Sequence, residues 1–339
     1  ASPNDYNAEP FQARTDFMTR KRTCVIFGGS GFVGRAIIGQ LREMGFRIVV
    51  PTRNRELVRG LTVVPEVRVV TADIYDPVAL RKLLDDADVA INLVGILNER
   101  GHHRGRGFYT AHRDLTGAIV DACADAGVPR FLQMSALKAN AKDGPSDYLK
   151  SKGEAEALVR KAPAGVAWTI FQPSVVFGPE DSFINRFAQL LKLSPVLPLA
   201  RPIARFAPVY VGDVAEAFCS SIDNAATHGR TYQLCGPRVY SLRELVTYVR
   251  DQLGLKRMIV GLPDPLAKLQ ARIFDFVPGK PLSTDNLRSL MVHSICDSDG
   301  LAELGIEATP MEGIVPMYLS REGRAAGYDR MRKSARLGD

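Results

Sequence analysis

The sequence predicts an α/β protein: a doubly wound parallel sheet with a smaller C-terminal α/β lobe. Three observations carry that reading. Short β-branched runs alternate with longer amphipathic runs from residue 22 to about residue 178. The short runs are apolar almost throughout, as strands covered on both faces require. Glycines at 28, 31 and 34 stand at the first change from strand to helix.

Taken in order, "TCVIFGG" reads as the first strand and "GRAIIGQLREMG" as a helix ending at Gly45. "RIVVPTR" and "VRVVTADI" read as the second and third strands, "PVALRKLLDDA" as a helix and "DVAINLVG" as the fourth strand. "HRDLTGAIVDACADAGV" is a helix, "RFLQMSAL" a strand, "DYLKSKGEAEALVRKA" a helix and "AWTIFQPSVVFG" a strand. After residue 178 the rhythm loosens and prolines accumulate, so residues 21–178 are expected to form the larger, doubly wound domain and 179–339 the smaller lobe and tail. The stretch 206–235 is expected to return to the main sheet. Residues 1–20 form a polar extension without periodicity. The part before Met18 reads equally as a tag, a processed leader remnant or a natural extension, and it has no apolar segment of the secretory type.

With 46% hydrophobic and 24% charged residues, the 339-residue chain has the composition of a globular protein. No apolar run approaches the roughly 18 residues that cross a bilayer. Five scattered cysteines, an odd number without a CxxC pair, argue against a disulfide framework or zinc site and for a reducing compartment. The net charge of +7 suits an anionic partner: a phosphorylated cofactor, a membrane surface or nucleic acid. The basic residues are dispersed and not interleaved with aromatics, which disfavours nucleic acid.

The glycine turn has a mechanism. Gly28 permits a sharp turn, Gly31 lets the backbone approach a pyrophosphate, and Gly34 lets the helix pack close to the sheet. The helix N-terminus then offers N–H groups and partial positive charge to phosphate. The candidate cradle is therefore Gly28, Gly29, Ser30, Gly31, Phe32, Val33 and Gly34. The second strand ends in Thr52 and Arg53, with no acid before Glu56. A carboxylate there would suit the ribose 2′-OH of NAD, and a guanidinium suits the 2′-phosphate of NADP. NADP(H) is the expected cofactor, with NAD(H) the alternative.

The GxxGxxG spacing resembles that of the extended short-chain dehydrogenase/reductase family, a Rossmann fold. Further positions agree over residues 22 to 245: Asp73 and Ile74 after the third strand, Leu93, Val94 and Gly95 within "NLVG", the YxxxK pair Tyr148 and Lys152, and Pro173 in "QPSVVFGPED". The resemblance implies that Tyr148 exchanges a proton with a substrate oxygen. It also implies that Lys152 lowers the tyrosine pKa and holds the ribose, and that a hydroxyl, here Ser135, orients the substrate. Ala136 stands where the substrate-orienting hydroxyl usually falls, and Asp114 where the family usually has asparagine.

"VAINLVGILNERG", "YLKSKGEAEALVR" and "FAPVYVGDVAEAF" resemble the atypical branch that contains the nucleotide-binding accessory subunit of respiratory complex I and its bacterial relatives. That resemblance implies a tightly held NADPH with a structural or assembly role, and complex I subunits or an anionic membrane surface as partners. It implies a bacterial cytoplasmic location, at the inner membrane, or the matrix side if the source is mitochondrial. The alternative is an active NADP-dependent reductase or epimerase-like enzyme acting on a carbonyl or sugar-nucleotide substrate. No metal site is expected; the adjacent His102 and His103 read as a solvated loop. Leu266, Leu269, Ile273 and Phe276 share one helical face, for which core packing is the leading reading and a partner or membrane contact the other. Between Leu193 and Phe206, Arg201 and Arg205 either grip an anionic substrate or accompany packing against the sheet.

Overall fold

The computed structural model describes residues 20–99, 106–277 and 282–319. Most of the 1–20 extension, His102, His103 and the basic tail 321–336 lie outside these residues.

Seven strands form one parallel sheet: β1 (Thr23–Phe27), β2 (Arg47–Thr52), β3 (Val67–Thr71), β4 (Val89–Asn92), β5 (Arg130–Met134) and β6 (Ala167–Pro173) are joined later in the chain by β8 (Arg230–Leu234). The spatial order is β8-β6-β5-β4-β1-β2-β3. The order reverses between β1 and β4, and a crevice opens beyond the carboxyl ends of strands at such a switch point. Gly28 directly follows β1 and Leu93 directly follows β4, so both sequence motifs meet there.

Both faces of the sheet are covered. On one, Ile26, Ile48 and Ile91 pack with α1 (Phe32–Glu43) and α6 (Val211–Ser221). On the other, Val25, Phe27 and Phe131 pack with α2 (Pro77–Leu84) and α3 (Leu115–Ala126). Helix α2 begins where the sequence dictates: Pro77 takes the first turn and Asp76 accepts the Val78 N–H. At the amino ends of the strands Arg130 is buried. It donates to the Ser221 and Ala167 carbonyls at 2.7 and 3.0 Å and to the Thr169 and Thr227 hydroxyls, both at 2.8 Å. One guanidinium thus ties β5, β6 and the end of α6 together.

The later chain adds α5 (Ile184–Leu193), the parallel pair β7 (Val196–Ala200) and β9 (Met258–Leu262), and α7 (Leu242–Gln252) around a separate apolar cluster. Helices α8 (Asp264–Phe274), α9 (Thr284–Ser289) and α10 (Met311–Leu319) complete the described chain. Among the described residues no helix is long and apolar enough to cross a membrane.

Two expectations need correction. Cys235 and Cys296 form a disulfide, whereas Cys24, Cys123 and Cys219 are free and buried. A separation of 61 residues concealed the pair; the contact arises because the 296–298 segment lies along β8, where Asp297 N donates to Gln233 Oε1 at 2.6 Å. The core-packing reading of the α8 stripe also fails: Leu266, Leu269 and Ile273 are each about half exposed (51%, 54% and 55%), and the small residues Ala267 and Ala271 are buried instead.

Candidate cofactor and substrate site

The switch point opens into a cavity of about 460 Å³, lined on one side by the glycine turn and on the other by α4 (Asp147–Val159). Of the sequence-predicted residues, Gly28, Gly31, Phe32, Val33, Gly34, Leu93, Gly95, Ser135, Tyr148, Lys152 and Pro173 line it. Gly29, Ser30 and Val94 belong to the same turns without lining the cavity. Thr52, Arg53, Asp73 and Ile74 lie at the carboxyl ends of the neighbouring strands β2 and β3, beyond this cavity.

The glycine roles separate on geometry. Gly28 has φ +79°, and a Cβ on it would come within 3.1 Å of the Leu93–Val94 backbone. A Cβ on Gly34 would sit 2.5 Å from Gly29 Cα, so this residue sets how closely α1 meets the turn. A Cβ on Gly31 would meet only the Gly28 carbonyl, at 3.2 Å; otherwise it projects into open space. Gly31 is the N-cap of α1, no side chain caps that helix, and its first turn holds no acid. Its unpaired N–H groups and dipole are thus kept for an anion. The residues present fit a pyrophosphate.

Arg53 is exposed and makes no ion pair or hydrogen bond among the described residues. Asp73 is occupied locally, its Oδ1 accepting the Tyr75 N–H at 3.0 Å.

On the far wall, Ser146 caps α4 by accepting the Leu149 N–H. Asp285 of α9 accepts the Asp147 N–H at 2.8 Å and the Tyr148 N–H at 3.2 Å. A carboxylate from the C-terminal part of the chain therefore seats the start of the helix that bears Tyr148. Burial, and secondarily the Asp285 charge, push the Tyr148 phenol up to about 12. Lys152 is buried, and its Nζ donates to the Met134 carbonyl at 3.1 Å and the Val94 carbonyl at 3.4 Å. Burial brings this ammonium down to about 8, with Glu156 opposing. The family resemblance implies a tyrosine lowered by its lysine. Here the lysine serves two carbonyls at the crevice.

Ser135 is buried, and its Oγ has no hydrogen-bond partner. An orphaned hydroxyl lining a cavity is costly unless a ligand or water meets it. Ala136 beside it lines the same cavity. Asp114, at the expected asparagine position, is exposed and pairs with Arg113 at 2.7 Å.

His112 is the residue that sequence reasoning missed. It sits in a π-helical turn, Tyr109–Asp114, ahead of α3 and is almost fully buried. Its Nε2 accepts the Ile96 N–H at 3.0 Å, so the ring proton is on Nδ1, 2.9 Å from Ser151 Oγ. Ser151 in turn donates to the Tyr148 carbonyl at 2.9 Å. The His112 ring also meets the Tyr148 ring edge-on at 5.4 Å. The imidazole thus joins the loop after β4 to α4. Burial, then the Lys152 charge, drive its pKa down to about 2, so it is neutral. The sequence shows only a histidine two residues before Asp114; that it faces the buried side of the turn is visible in the fold alone.

Among the described residues no three His, Cys, Asp or Glu side chains are placed to hold a metal.

Comparison with known proteins agrees with this geometry. Residues 28–182 match the NAD(P)H-binding family model. The NADH dehydrogenase (ubiquinone) 1 alpha subcomplex subunit 9 of Arabidopsis thaliana is 30% identical over 301 residues, 84% of this chain and 73% of the relative. The ceramide reductase of Caulobacter vibrioides is 32% identical over 248 residues, 71% of this chain and 73% of the relative. Among solved structures, an NADPH-dependent quinone oxidoreductase of Escherichia coli complexed with NADPH superimposes with a TM-score of 0.68 at 19% identity, covering 86% of this chain and 97% of its own. That last likeness concerns the fold. The chain belongs to the atypical extended short-chain dehydrogenase/reductase family that includes the complex I subunit 9 proteins.

Proposed function

We propose that the chain holds NADP(H) across the β1–β4 crevice as a resident structural cofactor, in or beside an assembly of the respiratory complex I type. The observation that carries the cofactor reading is the Gly31 cradle at an uncapped helix N-terminus. Arg53, exposed and unpaired at the end of β2, supports NADP(H) over NAD(H), since a guanidinium can grip a 2′-phosphate in a bidentate fork. Asp73 and Ile74 would flank the adenine, and Lys152 the nicotinamide ribose. Similarity to the complex I subunits supports the assembly. The half-exposed Leu266, Leu269 and Ile273 on α8, interspersed with Lys268 and Arg272, are its contact face in this reading.

One observation supports a structural role over turnover: Lys152 already serves the Val94 and Met134 carbonyls.

A second reading, an NADP-dependent reductase, is favoured by the orphaned Ser135 hydroxyl in the same cavity as Tyr148 and by the reductase relative. Bound NADPH would supply the hydride in that reaction. Ser135 would orient a carbonyl oxygen and Tyr148 would protonate it.

One experiment separates the readings. Purified protein is passed through gel filtration and its bound nucleotide challenged with a panel of carbonyl compounds. Retention without oxidation supports the structural role; rapid oxidation by one compound, lost in Tyr148→Phe, overturns it. Crosslinking in cell membranes tests the α8 face. Capture of complex I subunits supports the assembly, and salt-sensitive binding to anionic vesicles alone would replace it with a membrane surface.

A further inference from the structure

A second cavity of about 480 Å³ lies in the C-terminal part of the molecule, between α5, β7, α8 and α9. It is continuous with the cofactor crevice: Leu97, Tyr148, Ser182, Phe183, Ser289 and Leu290 line both cavities. Elsewhere its walls are mostly aliphatic and aromatic, from Leu190 and Leu197 to Phe274 and Leu282, with Arg186, Ser194 and Asn286 among them. Leu193 lines it and is 82% exposed, which places a mouth at the end of α5.

Gln270 is a polar exception. Its Nε2 donates to the Pro198 carbonyl at 3.4 Å, while its Oε1 is buried without a partner. An apolar cavity holding a lone unmet acceptor suits an apolar ligand with one hydroxyl or amide N–H along its length.

We propose that this cavity takes the long aliphatic tail of a ligand whose oxygen-bearing polar head lies between Ser135 and Tyr148. The tail runs from the Tyr148 ring past Phe274 towards Leu193, and Gln270 Oε1 accepts a hydrogen bond from it. The inference rests on the reading that the reactive end of the nucleotide lies in the first cavity. It holds equally for a resident lipid and for a substrate, because only shape and polarity are used. Sugar nucleotides, the polar alternative among substrates, would meet Arg186 as the one charged side chain in a wall that is otherwise mostly apolar.

The test is displacement of Nile red from the full chain by 2-tridecanone and by 2-pentanone, with NADPH affinity measured in parallel. Eight added methylenes, even if only partly buried, should make the long ketone bind at least roughly a hundredfold more tightly than the short one. Leu190→Trp fills the cavity and should cut that preference at least roughly tenfold without changing NADPH affinity. Leu193→Asp, an exposed substitution that spares the core, should weaken the long ketone alone by placing charge at the mouth. Leu269→Ser, on the outer face of α8 and outside both cavities, should leave both ketone affinities and NADPH affinity as they are. Equal binding of the two ketones, indifference to both cavity variants, or loss in Leu269→Ser, which would move the tail to the outer surface, overturns the proposal. Failure of NADPH to bind while the long ketone still does would instead reject the cofactor reading and leave the tail site standing.

Discussion

His112 offers a prediction whose sign and size follow from its surroundings. In the folded chain the imidazole is neutral, with a pKa near 2, against 6.5 when unfolded. Burial is the first cause and the Lys152 charge the second. Protonation would also turn Nε2 against the Ile96 N–H it now accepts. A folded pKa below the unfolded one means that the unfolded chain binds more protons between about pH 2 and pH 6.5. Stability therefore falls as pH drops through that window and is restored above it. Between pH 7 and pH 5 this one group should remove about 2 kcal/mol.

Replacing His112 with Phe keeps a ring against Tyr148 but strands the Ile96 N–H and removes the Ser151 contact. The variant should lose about 1–3 kcal/mol at pH 7, yet its loss between pH 7 and pH 5 should be smaller than that of the parent by about 2 kcal/mol. Urea unfolding followed by circular dichroism at both pH values measures this, with m-values compared to confirm that both proteins unfold alike. Carboxylates common to both chains cancel in the difference. An identical pH-dependent loss in parent and variant would refute the assigned neutral, doubly bonded imidazole.

Further outcomes follow from the same geometry. Arg53→Asp should lower NADPH affinity at least roughly tenfold and leave NADH unchanged or improved, by removal of a charge-assisted contact; calorimetry showing equal losses for both would mean that Arg53 does not read the phosphate. Gly34→Ala forces a Cβ to within 2.5 Å of Gly29 Cα. It should cost about 1–3 kcal/mol in unfolding free energy and weaken nucleotide binding by displacing α1 from the turn. Unchanged stability would contradict the close approach. Arg130→Met should leave the Ile222 carbonyl without its side-chain donor and the Ser221 carbonyl with only the Thr227 hydroxyl, and lower stability by about 3–5 kcal/mol. Chemical denaturation checks it, and a loss under about 1 kcal/mol would show that water replaces the guanidinium there.

The Rossmann half of the molecule was legible because its signals are local. Alternating apolar runs set β1 to β6, and the glycines mark the turn after β1. Tyr148 and Lys152 are four apart on one helix, so their shared face follows from helical period alone. The features that escaped are made by distant segments. Asp285 reaches the start of α4 across 138 residues of chain, and Cys235 meets Cys296 across 61. His112 is defined by what its two ring nitrogens touch, which no spacing rule encodes. The α8 stripe was read correctly as an apolar face, but periodicity names a face without naming what covers it. Small residues at Ala267 and Ala271 pack close against the chain and leave the larger side chains outward.

The central claim is that the crevice between β1 and β4 holds NADP(H). Its most direct test is mass spectrometric identification of the nucleotide released by denaturing the freshly purified chain. The account predicts NADP(H) close to one per chain, and its loss from Gly31→Val, whose branched side chain would fill the open space above the cradle. Protein that is purified without nucleotide and binds none on addition, or Gly31→Val that retains full NADP(H), would contradict it.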